Sequence, residues 1–486
     1  MTATAPAEPL RKTLIRAAAQ YSVGMLIAMV GSIARVGVTA RLLSEEQNGI
    51  WLGLQLLLGY AGNLHFGSLY GMFRSVPMLR AREDHAGAER EKSTAFTFVL
   101  TMTFVGAAAL LFLAPRIAEP TSPRQVALTM ALLAANLLRM YFTTLMKSES
   151  RFKELSTATG LGAVATLGGL LLVLKWKLDG LLIGMLAQIV VEVLYLAWRG
   201  GIPKLKIEKS VLRGQLAVGL MTLLTTLGVI ALTNADRTIM LRLCGTQQAG
   251  LYYIGANVVI LLPTLAAIPG AVLTPRFFEH VGRGENLMPL VERPVRTMAY
   301  GLGWGCAAGA VALPATVRIL WPHHVPGIPA ALCALFGTYP LVLSGLVSNV
   351  YYALDRQGIH VAILAISAVV AYALAALGVV ATGGAIVGAA GGAAIALYLY
   401  NFASTVGSLR VAGEPTSRAV QLALETLGPA VWAAALLLGV RLVFGTGWMS
   451  GSIPVALIGE VVVAVGFLPL VPRAIRAFRG ARAAAS

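Results

Sequence analysis

The chain has 486 residues, 57% of them hydrophobic and only 12% charged, yet 38 Lys and Arg against 21 Asp and Glu leave a formal net charge of +17. Soluble domains carry about 25% charged residues, so a string of soluble domains is excluded, and a mean hydropathy of +0.77 excludes a free nucleic-acid binder despite the basic excess. Cys244, Cys306 and Cys333 form no CxxC pair and no His stands at zinc-ligand spacing, so they read as small apolar fillers. His323-His324 falls in a loop and reads as an interfacial pair. Neither a metal nor a cofactor is expected.

From the N-terminus, Met1 to Arg16 is polar and basic, and the apolar run behind it is too long for a signal-peptide core. It is expected to stay as the first membrane span. About 20 mostly apolar residues cross a bilayer core, and Pro, Gly and charge clusters cut the chain into fourteen such runs. They lie near 17–40, 49–73, 93–114, 124–146, 156–174, 180–198, 215–242, 251–275, 295–314, 329–352, 361–381, 385–408, 421–442 and 453–472. An even count puts both termini on one side. With the N-terminus inside, 27 of the 38 basic residues fall in inside segments and 7 in outside loops, which by the positive-inside rule places both termini in the cytoplasm. The loops are too short for a soluble catalytic domain and hold no GxxxxGK[ST] phosphate loop, so no enzyme is expected.

The four remaining basic residues, Arg35, Arg139, Arg237 and Arg242, sit within or at the ends of spans. A charge in mid-membrane costs roughly 2.5–3.5 kcal/mol on insertion scales, so such residues pair or line a pathway. In chain order the intramembrane polar candidates are Arg35 in span 1, Asn63 with His65 in span 2, Asn136 with Arg139 in span 4 and Glu192 near the inner end of span 6. Asp236, Arg237 and Arg242 follow in and after span 7, and Glu460 stands in span 14. Arg35, Arg139, Arg237 and His65 are the expected cationic cavity. Asp236 is the first choice for ion coupling, and Arg242, Glu192 and Glu460 are secondary candidates. Gly384, Gly388 and Gly392 are expected to form a close-packing ridge.

An internal repeat organises these residues. RLLSEEQNGIW at 41–51 matches RLCGTQQAGLY at 242–252 at an offset of 201, between the first and second span of each half. Six spans separate the copies, which predicts two six-helix lobes in parallel repeat, 1–207 and 208–410, with 411–486 as two further helices and a basic tail. At the same offset Tyr21, Met25, Ala28, Ser32, Arg35 and Thr39 correspond to Thr222, Thr226, Val229, Thr233, Asp236 and Met240, one polar face on each helix. These faces are expected to line a cleft, with Arg35 and Asp236 pairing in one state; the alternative is that both are interfacial charges snorkelling to headgroups.

The junction ARLLSEEQNGIW, the basic loop RSVPMLRAREDHAGAERE after the second span and NADRTIMLRLCGTQQAGLYYIGANVV at the seventh resemble the Wzx-type polysaccharide flippases of the multidrug/oligosaccharidyl-lipid/polysaccharide exporter superfamily. The resemblance covers spans 1–8 well and the remainder by span count. It implies an all-α polytopic membrane protein of about fourteen helices in the bacterial inner membrane. The implied activity moves undecaprenyl-pyrophosphate-linked oligosaccharide to the periplasmic leaflet, for O-antigen, capsule or exopolysaccharide synthesis, by ion-coupled alternating access. Membrane lipids, a glycan polymerase and a chain-length regulator are the partners it implies. A cation-coupled multidrug or metabolite exporter, or a lipid II flippase, is the competing assignment.

Overall fold

The computed structural model describes residues 27–117, 121–259, 277, 280–281 and 283–475, and every regular element among them is helical. The start of the first expected span, most of the eighth and the basic tail beyond 475 lie outside the described residues. The chain divides into two compact units, Met1–Leu224 and Thr225–Ser486. The division falls inside a helix, after the linker at 207/208 where the sequence suggests a lobe boundary.

In the first unit, α1 (27–42) leads through Leu43-Ser44 into α2 (Glu45–Ala61). Ser44 and Gln47 form a reciprocal capping box, and Glu45 and Glu46 complement the positive end of the helix. A single second span is expected from sequence, but the structure breaks it: residues 62–67 are turn, and α3 (Ser68–Ala81) begins after them. The break is tolerated because its backbone N–H groups find partners inside protein. Asn63 Nδ2 donates to the Gly59 carbonyl at 3.0 Å, and the Gly67 N–H donates to His65 Nδ1 at 3.1 Å. Gly67 has φ +89, and a Cβ there would stand 2.7 Å from the Gly219 backbone, so only glycine lets the break touch the helix that carries Gly219.

Next come α4 (His85–Ile117), α5 (Pro123–Ser148) and α6 (Phe152–Gly200). Lys177 (φ 49, ψ −124) folds α6 into two arms, which are the fifth and sixth expected spans. The arms meet where Gly169 faces Gly184 without a side chain on either. The linker before α7 (Lys209–Thr233) is tied to α4: the Lys206 N–H donates to Thr97 Oγ1 at 3.0 Å and the Glu208 N–H to Thr94 Oγ1 at 3.2 Å. Gln215 Nε2 donates to the Glu91 carboxylate at 2.7 Å, and Gly71 lies against the Gln215 backbone. These contacts fasten the first half of α7 to the first unit.

The second unit opens with a correction to the expected continuous seventh span. The helix stops at Asn234, restarts as α8 (Ala235–Ile239) and ends in a π turn, Met240–Cys244. Then follow α9 (Thr246–Leu251), α10 (253–259), α11 (Met288–Leu320), α12 (Ile328–Val347) and α13 (Asn349–Ala353). α14 (Gln357–Ala381), α15 (Ile386–Val411), α16 (Thr416–Glu425), α17 (Gly428–Phe444) and α18 (Ile453–Phe467) complete it. α12 is the central helix of this unit, and Tyr339, Leu343 and Val347 on it pack with Val291 and Val295 of α11 and Leu409 of α15. Gly388 and Gly392 seat α15 on the backbone of α14 at Gly378 and Leu374. Gly384, expected in that ridge, instead sits in the α14–α15 turn at φ +93.

Ten helices among the described residues are long and apolar enough to span a membrane, and one of the ten is the two-armed α6. Large apolar side chains point outward along them, with Leu442, Val380 and Phe104 at least 70% exposed. That inside-out surface makes the chain a polytopic all-α membrane protein.

At one end of the first unit a single carboxylate collects cations from three segments. Glu149 accepts from Arg80 of α3 at 2.7 Å and from Lys92 of α4 at 2.7 Å, with Arg151 at 3.7 Å. Lys92 and Glu149 are both 8% exposed. Glu149→Gln is expected to destabilise the protein by about 1–2 kcal/mol, because it leaves the buried Lys92 ammonium with Glu89, 2.7 Å away, as its one carboxylate partner among the described residues, read as a lowered melting temperature in detergent; an unchanged melt would contradict the assignment.

Candidate functional site

Most of the charged intramembrane candidates fall into a polar cluster in each unit. In the first unit the cluster starts on α5, where Asn136 and Arg139 lie one turn apart: Arg139 Nη2 donates to Asn136 Oδ1 at 2.8 Å. Arg139 Nη1 reaches Glu192 Oε2 on the second arm of α6 at 3.4 Å. One turn earlier on that arm, Gln188 Nε2 donates to Glu192 Oε1 at 3.1 Å, and Gln188 Oε1 accepts from Arg35 Nη1 of α1 at 3.1 Å. Three sequence candidates, Arg35, Arg139 and Glu192, are thus joined into one chain of hydrogen bonds. Gln188, the link between them, escapes sequence reasoning because an uncharged amide in an apolar run draws no attention. Its spacing of four from Glu192 is the signal that could have found it.

The cluster's burial is graded. The Glu192 side chain is 9% exposed and fills space left open by Gly162, where a Cβ would stand 2.0 Å from its Oε1. The Arg139 side chain is 37% exposed and Arg35 is half-buried. Beside Arg35, between the α6 arms, lies a cavity of about 10 Å³, room for about one water. A saccharide does not fit there, so a large anion can meet this cluster from outside the cavity, where the Arg139 side chain is exposed.

In the second unit the cluster forms around the break in α7. Asn234 Nδ2 bonds the Ile230 carbonyl at 2.8 Å, and Arg237 spans the gap by donating to Asn234 Oδ1 at 2.9 Å and to the Ala256 carbonyl of α10 at 2.5 Å. Asp236 Oδ2 accepts from Tyr252 Oη at 2.5 Å and its Oδ1 from the Arg237 N–H at 2.7 Å. Asp236 and Arg237 are 5% and 4% exposed. Asp236, Thr233 and Tyr252 border a second cavity of about 10 Å³ whose other walls are apolar residues, among them Leu232, Val259, Gly337 of α12 and Ala393 of α15. Tyr252, which the repeat pairs with Trp51 as a conservative match, and Asn234 are the members of this cluster that sequence reasoning misses.

The other candidates separate. Arg35 belongs to the first unit and Asp236 to the second, and each has partners within its own unit. His65 is fully buried in the α2–α3 break, edge-on to Tyr70 at 5.3 Å, rather than inside a continuous helix. Arg242 is exposed on the π turn, and Glu460 is half-buried on α18, far along the chain from either cluster. Tyr21 and Met25 of the expected polar face lie outside the described residues. The rest of that face is less polar than its letters suggest. Ser32, Thr39 and Thr233 turn their hydroxyls back to carbonyls of their own helices at 3.0, 2.8 and 2.8 Å, which removes the need for water beside them.

The two copies of the repeat share a junction and differ in chemistry. α2 begins at Glu45 and α9 at Thr246, 201 positions on. Ser44 caps the first, whereas Gly245 at φ 84 opens the second without a side-chain cap. Trp51 and Tyr252 are buried at the equivalent position, and only the tyrosine carries a hydroxyl to hold Asp236.

Comparison with known proteins agrees with this architecture. A family model described as "Polysaccharide biosynthesis protein" matches residues 77–302, a little under half of the chain. No curated protein sequence matches significantly. Among solved structures, an inward-facing multidrug resistance MATE family transporter of the MOP superfamily superposes with a TM-score of 0.65 at 14% identity, covering 82% of this chain and 98% of that one. An inward closed conformation of the lipid II flippase MurJ gives a TM-score of 0.64 at 11% identity, covering 93% of this chain and 99% of that one. An outward-facing MATE family transporter of the same superfamily gives 0.56 at 15% identity, with 84% and 95% covered. The chain shares the fold of these structures, and the family-model match over 77–302 supports the resemblance to polysaccharide flippases read from the basic loop after the second span and from the seventh-span junction.

The first-unit cluster predicts a measurable coupling. Arg139→Leu leaves the Glu192 carboxylate without its cation and is expected to cost roughly 1–2 kcal/mol, reduced from a fully buried pair by the exposure of Arg139. Adding Glu192→Gln should restore much of that loss, since the amide still accepts from Gln188. Strictly additive melting shifts in the double variant would show that the pair is not coupled.

Proposed function

We propose that this polysaccharide-branch member of the MOP fold is a flippase for undecaprenyl-pyrophosphate-linked oligosaccharide, moving repeat units from the cytoplasmic to the periplasmic leaflet of a bacterial inner membrane. The observation that carries the reading is the Arg35–Gln188–Glu192–Arg139 chain: two arginines are held by a buried carboxylate and a half-buried amide, and the Arg139 side chain keeps an exposed flank. Such flanks offer charge-assisted hydrogen bonds to phosphate oxygens. Glu192 and Gln188 fix where they point, so less side-chain entropy is lost when an anion arrives.

Cargo with a pyrophosphate and a glycan cannot enter hydrocarbon, while its polyprenyl tail never needs to leave it. No covalent step is involved; moving the polar part requires only that the protein alternate access to it. Arg237 serves a different role from the two accessible arginines: enclosed and bonded to two carbonyl oxygens, it holds the α7 break in shape. Asp236 is the proposed coupling carboxylate, because the adjoining cavity is the size of one small ion or water and Tyr252 orients its carboxylate. A cation-coupled drug exporter would place an acidic or aromatic surface where this cluster offers arginines.

In a strain lacking the gene, lipid-linked repeat units should accumulate on the cytoplasmic leaflet and surface glycan should fall. Complementation with Arg35→Ala or Arg139→Ala is expected to restore about a tenth of the flux or less. Normal surface glycan in the deletion strain, with no redundant flippase present, would overturn the reading. Asp236→Asn is expected to leave the protein folded and abolish gradient-dependent stimulation of transport, while undiminished stimulation would exclude Asp236 from coupling.

A further inference from the structure

At one end of the second unit, α11, α16, α17 and the segment after α18 surround an open-sided cavity of about 890 Å³. Arg293 and Arg296 line it from the start of α11, and Arg473 from the helical turn at 471–475. The one carboxylate in the lining is Glu425, so three guanidiniums face a single negative charge. That charge is already engaged. Arg296 bonds Glu425 at 2.5 Å and Glu292 at 2.7 Å, and Arg418 takes Glu292 at 3.2 Å and Glu414 at 3.5 Å. Arg473 is exposed and has no ion-pair partner among the described residues. The cavity lining therefore carries a net positive charge.

Its other wall is apolar. Trp432, Pro429 and Leu470 line it, and the Trp432 indole N–H donates to the Gly466 carbonyl at 2.9 Å, pinning α17 to α18. Beyond the rim, Val431, Leu468 and Leu424 are 66%, 60% and 54% exposed. A cationic pocket that continues onto an outward apolar face meets both halves of a phospholipid, the phosphate and the acyl chains. A soluble anion would leave the apolar face unused, and bare phosphate would fill little of 890 Å³. The distribution of basic residues assigns this end to the cytoplasmic leaflet, where anionic lipids attract such clusters.

We propose that this cavity binds the headgroup of an anionic phospholipid of the cytoplasmic leaflet, with Arg293 and Arg473 on the phosphate and the α17–α18 face against the acyl chains. The site is separate from the cargo cluster of the first unit and does not depend on the identity of the cargo. An occupied site would join α11 to the chain beyond α18 through the lipid, holding the last two helices to the body of the second unit.

The test uses the full-length protein, delipidated in detergent and titrated by native mass spectrometry with phosphatidylglycerol, phosphatidylethanolamine, undecaprenyl phosphate and inorganic phosphate in turn. Phosphatidylglycerol is expected to bind in preference to phosphatidylethanolamine. The double variant Arg293→Gln, Arg473→Gln should weaken that binding by about thirtyfold, from roughly 1 kcal/mol for each basic residue near the surface. Arg41→Gln, on the first unit, should leave it unchanged and serves as a control for altered charge. A melting temperature within a few degrees of the parent shows that the double variant is folded; should it not be, Arg473→Gln alone, at an exposed position, is read against an expected fivefold loss. Equal binding of the two phospholipids, or equal binding of phosphatidylglycerol by parent and variant, would overturn the proposal. Displacement of phosphatidylglycerol by millimolar inorganic phosphate would make this a free-anion site and overturn the lipid assignment, as would tighter, arginine-dependent capture of undecaprenyl phosphate.

Discussion

In hydrocarbon an amide or charge without a partner costs several kcal/mol, and the internal architecture of both units follows from meeting that cost locally. Where α2 stops, Asn63 and His65 supply partners within the break, and the tight approach at Gly67 and Gly219 closes it against α7. Where α7 stops, Asn234 and Arg237 do the same work with longer side chains, reaching across to the Ala256 carbonyl. The guanidinium of Arg237 is in that sense a piece of backbone structure. Its charge is enclosed, and Asp236 sits next to it with a donor on each oxygen.

The same constraint separates arginines that build from arginines that can bind. Arg139 and Arg35 are held by Glu192 and Gln188, and about a third of the Arg139 side chain remains exposed. An arginine so placed is already desolvated in part and already aimed, which is the condition under which a phosphate oxygen gains most from meeting it. The repeat adds an evolutionary economy in physical terms. One helix–turn–helix junction, used twice at an offset of 201, carries a capping box in the first copy and a glycine in the second. The aromatic position buried after it is an indole at Trp51 and, as Tyr252, carries the hydroxyl that donates to Asp236.

Much of the fold was legible because apolar runs and the charges that interrupt them mark helix ends directly. The turn at Lys177 lies between Lys175 and Asp179, a cluster of charge no single span would carry, and the two arms of α6 lie where the pattern places spans 5 and 6. The breaks at 62–67 and at Asn234 were not legible. Each consists of residues that also occur in continuous spans, and what permits the first is a glycine about 150 positions away, at Gly219. Charged members of the first cluster stood out individually as Arg35, Arg139 and Glu192. Their connection did not, because it runs through a neutral glutamine. The polar faces of the first and seventh spans misled in the opposite direction, since Ser and Thr count as polar by letter yet satisfy themselves on their own helices.

At the centre of the proposed function, a pair of restrained arginines meets the pyrophosphate of a lipid-linked glycan as it crosses. Purified protein in liposomes loaded with undecaprenyl-pyrophosphate oligosaccharide, with glycan exposure on each leaflet followed by an impermeant lectin or glycosidase, measures that crossing directly. Protein-dependent translocation that falls by about tenfold or more when Arg139 is replaced by Ala, and persists in an Arg242→Ala variant, is the predicted result. Translocation no faster than in protein-free liposomes, or equally fast in the Arg139→Ala protein, would contradict it.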